Sequence, residues 1–143
     1  MDDGWDAAKM LELGQLHARL EAERDLDGLM ATLVRDPVYE FHPLGMSLRG
    51  AERIRRYYHQ FFAGFMAHIA DHALLGEWAN EESVVQEYDI TIEIDTVKET
   101  HRVVGILYGE GRLLGGERIY GSDRVIRLML GDLFTELEPL GEP

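Results

Sequence analysis

Near His68 the hydrophobic period of this chain changes, and that change restricts the fold more than any other feature. Before it, apolar residues recur at helical spacing; after it, they alternate with polar ones. Met10, Leu13, Leu16 and Leu20 form one stripe over Ala8 to Glu23, and Asp25 caps a second, shorter helix carrying Leu26, Leu29, Met30 and Leu33. Asp36-Pro37 ends that helix, because the residue before proline is pushed out of the helical region. Val38 to His42 alternates as a strand, Pro43-Leu44-Gly45 turns, and Gly50 to Met66 places Ile54, Tyr58, Phe61, Phe62 and Phe65 on one side of a third helix.

Beyond His68 the segments Ile69 to Trp78, Ser83 to Ile94, His101 to Tyr108 and Leu113 to Leu130 read as strands. Turn segments at Asn80 to Glu82, Asp95 to Lys98 and Gly109 to Gly111 separate them. Helices followed by a run of strands predict an α+β domain, three helices packed on one face of a mostly antiparallel sheet. No repeat or linker divides residues 1–143, so a single domain is expected. Met1 to Ala7 are polar and read as a frayed end. Along Ser83 to Asp95, Val84, Gln86, Tyr88, Ile90, Ile92 and Ile94 share one face, and Glu87, Asp89, Thr91, Glu93 and Asp95 the other, which predicts a half-buried strand with its acidic ladder in water.

Charge narrows the partners. A formal charge of −13 repels phosphate backbones and anionic membranes, and the short Arg53, Arg55, Arg56 cluster reads as a solvated helix face. Neither nucleic acid nor membrane is therefore an expected partner. Cysteine is absent, which removes disulfides, thiolate metal sites and a cysteine nucleophile. No charged-then-apolar leader or long apolar run is present, and a cytoplasmic protein is expected. His59, His68, His72 and His101 share no metal-binding spacing, and no phosphate loop, nucleophile elbow or dinucleotide fingerprint occurs.

The run from Asp25-Leu26-Asp27-Gly28 through Pro43-Leu44-Gly45 to Ile54-Arg55-Arg56-Tyr57-Tyr58 resembles the opening half of the nuclear transport factor 2-like superfamily, which includes ketosteroid isomerases and small polyketide cyclases. The resemblance implies a cone-shaped roll, helices and a strongly curved sheet enclosing an apolar pocket, and a homodimer. It also implies roles. The isomerases carry an oxyanion-binding Tyr eight residues before the D-L-D-G-like segment, where this chain has His17. Their general base, an Asp, stands directly before a Pro-x-Gly turn, where this chain has His42. Tyr58 matches the Tyr that supports the oxyanion donor. The second oxyanion donor, an Asp, falls near Val103 and Val104, where no acid stands. The cyclases' Asp two residues after a Tyr is displaced here, since Asp123 follows Tyr120 by three.

Each candidate has a plainer reading beside the catalytic one. His17, between Leu13 and Leu20, also suits a satisfied core histidine. His42 alternates with Glu40 against Tyr39 and Phe41, so strand parity turns it outward unless a bulge re-aims it. Asp89, two residues from Glu87, suits hydration or epoxide chemistry, or water. The resulting expectation is a cofactor-independent lyase or isomerase acting on a small apolar carbonyl or polyketide-like compound, with His42 as base, His17 and Tyr58 stabilising the oxyanion, and Asp89 as an alternative base. Leu13, Phe61, Phe65 and Tyr88 are expected to line the pocket. The rival is a non-catalytic binding or dimerisation module. An enzyme should show an inward histidine with a free ring nitrogen on an open cavity; a module should show a filled cone or fully tied histidines.

Overall fold

A computed structural model describes residues 4–141. Of the polar N-terminal stretch, Met1 to Asp3 lie outside the described residues, while Asp6 caps the first helix by accepting from the Lys9 N–H at 2.9 Å. That helix, α1 (Ala7–Ala22), buries Met10, Gly14 and His17. Gly14 matters for the packing: a Cβ there would lie 2.9 Å from Val84 Cγ2, so only glycine lets α1 sit this close to the sheet. Asp25 caps α2 (Leu26–Ala31) through the Gly28 N–H.

The strand β1 (Leu33–His42) begins five residues earlier than the sequence predicts and runs through Asp36-Pro37. Pro37 ends no helix; α2 has already stopped, and a register shift between Leu33 and Val38 absorbs the missing donor. The turn at Pro43–Gly45 leads to β2 (Met46–Arg49), then α3 (Ala51–Gln60) buries Ile54, Tyr57 and Tyr58. The helix continues as a π-helical turn over Phe61–Phe65, burying three phenylalanines, and a 3-10 turn over Met66–His68.

Four strands follow, β3 (Ile69–Ala79), β4 (Ser83–Ile94), β5 (Val97–Glu110) and β6 (Leu113–Tyr120), each antiparallel to the next. The predicted strand Leu113 to Leu130 is half wrong. After Tyr120 the chain forms α4 (Asp123–Leu130), capped by Ser122, with Val125, Ile126, Met129 and Leu130 buried. That spacing is helical, and the adjacent β-branched pair Val125-Ile126 disguises it. A 3-10 turn and β7 (Glu138–Pro139) complete the seven-stranded order β3-β4-β5-β6-β1-β2-β7, curved and unclosed, with β1 and β6 its parallel pair. The fold class is as expected: α+β, helices on a curved, mostly antiparallel sheet. Among the described residues no helix is long and apolar enough to cross a membrane.

Candidate functional site

The curve of the sheet leaves a cavity of about 610 Å³ between α1 and the concave faces of β3 to β6, bordered also by Tyr57, Phe61 and Met129. The alternation read for β4 holds: Gln86, Tyr88 and Ile90 line the cavity. From β5 and β6 come Gly105, Leu107, Glu117 and Ile119. A volume of this size suits a small organic ligand.

Five polar residues form one network behind the wall. Thr32 donates its hydroxyl hydrogen to the Leu29 carbonyl at 2.6 Å, so its oxygen can only accept from His17 Nδ1, 2.8 Å away. Nδ1 therefore carries the ring hydrogen, and Nε2 points at Tyr58 Oη (3.2 Å) and Glu117 Oε2 (3.3 Å). Tyr58 donates to the same Oε2 at 3.0 Å and receives from Tyr39 at 2.6 Å. The Tyr58 hydroxyl hydrogen thus faces two acceptors, Glu117 Oε2 at 3.0 Å and His17 Nε2 at 3.2 Å. Glu117 Oε1 has no partner among the described residues; with no buried polar atom left unpaired, it must open onto the cavity. Gly105 leaves that space, since a Cβ there would lie 3.5 Å from Oε1.

A second carboxyl, Glu21, lies one turn after His17 on α1 and also lines the cavity. Burial, then the nearby charge of Glu117, raises its pKa from 4.5 to about 7, against a smaller opposing effect of His17. Tyr39, Tyr57, Tyr58 and Tyr88 are pushed well above the usual phenol range, chiefly by burial, so all four remain donors at neutral pH. Among the described residues no lysine or arginine lines the cavity. Among the described residues, no group of acidic and histidine side chains could hold a metal ion.

Residues 15–111, well over half of the chain, match the SnoaL-like domain family. The chain belongs to that family. No curated protein sequence matches it. Solved structures show that this SnoaL-like chain has the nuclear transport factor 2-like fold. One is a nuclear transport factor 2-like protein from Burkholderia xenovorans, 13% identical over 88% of this chain and 99% of that one, with a TM-score of 0.69. Another is an LEH-like epoxide hydrolase from M. tuberculosis, 16% identical over 87% and 90%, TM-score 0.65. A third, from Catenulispora acidiphila, has a ketosteroid isomerase-like fold and was solved with trimethylamine; it is 16% identical over 84% and 92%, TM-score 0.62. At such identities the likeness is one of fold.

The structure sorts the residues the sequence singled out. His17 sits at the cavity wall, 1% exposed, and Tyr58 lies behind it, fully buried. Both His17 nitrogens are engaged, which leaves none for an oxyanion. Phe61 and Tyr88 line the cavity. Four others do not. His42 keeps its strand parity, faces the outer side of the sheet, bonds Glu40 at 2.9 Å and stacks on Tyr120. Asp89, also on the outer face, is clamped by Arg102 at 3.0 and 3.1 Å. Leu13 packs against the core, and Phe65 borders a separate small groove. Asp123 pairs with Arg127. Glu117, Glu21, Thr32 and Tyr39 escaped sequence reading. For two of them a signal existed: Glu21 is four residues after His17, and Glu117 shares the strand parity of Ile119.

Proposed function

We propose that this chain is an enzyme that moves a proton within a small, uncharged, largely apolar carbonyl compound, using its own carboxyl groups. The observation that carries this is the pairing of two cavity carboxyls in opposite environments: Glu117, tied through Oε2 to Tyr58 and His17, and Glu21, without a hydrogen-bond partner among the described residues and raised to about 7. Two carboxyls so divided suit a base and an acid in one site.

Glu117 takes a proton from the carbon next to the carbonyl on Oε1, while Oε2 stays held. Protonated Glu21 donates a hydrogen bond to the carbonyl oxygen as it becomes an enolate. Return of the proton from Glu117 to a different carbon completes an isomerisation. Tyr58, His17 and Thr32 position the base and do not touch substrate. The lack of any cation in the lining disfavours carboxylates and phosphates as substrates.

A homodimer fits the outer face of the sheet, where Trp78, Val85, Val104, Ile106 and Tyr120 lie uncovered by any helix. Sedimentation of Ile106→Asp against the parent tests it: the parent should be dimeric and the variant monomeric. An acidic, cysteine-free chain of this kind suits the cytoplasm.

The catalytic reading is tested by incubating the protein in D₂O with small β,γ-unsaturated ketones and following deuterium uptake by NMR. Exchange or isomerisation that Glu117→Gln abolishes supports it. A folded protein that exchanges nothing across the panel, or exchanges equally in both forms, leaves the binding module as the better account.

A further inference from the structure

At the N-terminus of α4, away from the cavity, a second set of side chains is ordered like a nucleophile, its base and an orienting acid. Ser122 Oγ accepts from the Val125 N–H at 3.1 Å, which leaves its own hydrogen for His101 Nδ1 at 2.9 Å. On the far side of the ring, Nε2 lies 2.6 Å from Glu99 Oε1. A carboxylate only accepts, so Nε2 carries the ring hydrogen and Nδ1 offers its lone pair to the serine. Glu99 is kept ionised by Arg124 first, at 2.6 and 3.0 Å, and by His101 second, which together hold its pKa down to about 2.

The surroundings fit the same chemistry. The N–H groups of Asp123 and Arg124 open α4 and have no acceptor within the helix. Glu99 pairs in register with Ile92, and Arg124 stands one turn before Leu128. Ile92 and Leu128, with Phe65 and Ile94, line a groove of about 170 Å³ that Gln60 and His68 also border.

We propose that Ser122, His101 and Glu99 form a second, nucleophilic site that cleaves short, uncharged acyl esters. Ser122 Oγ attacks the ester carbonyl carbon as its proton passes to His101 Nδ1. The tetrahedral centre collapses, the alkoxide leaves with that proton as an alcohol, and the acyl group remains on Ser122. Water then attacks the acyl carbon, giving a proton to His101, which returns it to Ser122 Oγ as the carboxylic acid departs. Glu99 holds the ring and stabilises its transient positive charge.

The test is labelling of the full chain with a fluorophosphonate, located by peptide mass mapping, together with release of p-nitrophenol from p-nitrophenyl butyrate. A single adduct on Ser122 is expected, absent in Ser122→Ala. Its rate should fall by about 10²-fold or more in His101→Gln and Glu99→Gln, the size of effect a positioned base gives. Circular dichroism confirms that each variant is folded, and if one is not, the other decides. No adduct on Ser122, or an adduct formed equally fast in a folded Gln variant, overturns the proposal.

Discussion

The carboxylates outside and inside the cavity are the same chemical groups in opposite circumstances. Outside the cavity three have an arginine, Asp89 with Arg102, Glu136 with Arg56 and Glu99 with Arg124, and all three are held below the usual carboxylate range chiefly by those hydrogen bonds. Inside the cavity Glu21 has none, and burial drives it up to about 7. With 27 acidic residues and 14 basic ones, the chain cannot neutralise every carboxylate, and among the described residues none of its lysines or arginines lines the cavity. Reactivity follows from where arginine is withheld.

The largest effect expected on breaking this contrast is at Glu117. Glu117→Gln keeps the shape, removes the base, and should lower turnover about 10²–10⁴-fold with little change in melting temperature. A variant that loses activity only through unfolding would show the residue to be structural.

Thr32→Val tests the proton order behind the wall. It leaves His17 Nδ1–H without an acceptor in a buried place and should cost about 1–3 kcal/mol in denaturant unfolding, restored by Thr32→Ser. If Val and Ser behave alike, the assignment of the Nδ1–H tautomer is wrong.

Glu21 sharpens the contrast through pH. Its folded pKa lies above its unfolded value, so the native state binds the extra proton between about pH 4.5 and 7, and stability declines as pH rises through that window. Glu99, with its folded value depressed, acts the other way: its contribution is complete above about 4.5 and is lost as pH falls toward 2. Together they place maximal stability at about pH 4.5, where the two windows meet. Glu21→Gln should flatten the alkaline slope and gain roughly 1–3 kcal/mol at pH 8. It should also remove the fall in activity expected as Glu21 deprotonates above about 7, because the amide remains a donor. An unchanged slope would mean that Glu21 titrates normally.

The smallest effect belongs to Asp89→Asn. An exposed pair with Arg102 contributes little in salt, so melting temperature and turnover should barely move. A large loss of turnover would restore Asp89 as a catalytic residue.

Much of the fold was legible because periodicity is local. The stripe of α1, the alternation of β4 and the turn at Pro43–Gly45 each follow from neighbours within a few residues. The error at α4 is also local, since Val125-Ile126 fits a strand as well as a helix. For His42, strand parity pointed outward and the family resemblance pointed inward; the structure keeps the parity.

The sequence by itself determined the class of fold, the apolar face that receives the cavity, the inward placement of His17 and Tyr58, and the surplus of acid. Only the tertiary structure decided which acids matter. Glu117 is 100 residues from His17, and their contact at 3.3 Å exists because the folded sheet turns this face of β6 toward α1. A pKa depends on burial and on charges brought near by folding, and neither leaves a local pattern. Glu21 and Glu99 are therefore alike in the sequence, and the folded chain sets one near 7 and the other near 2.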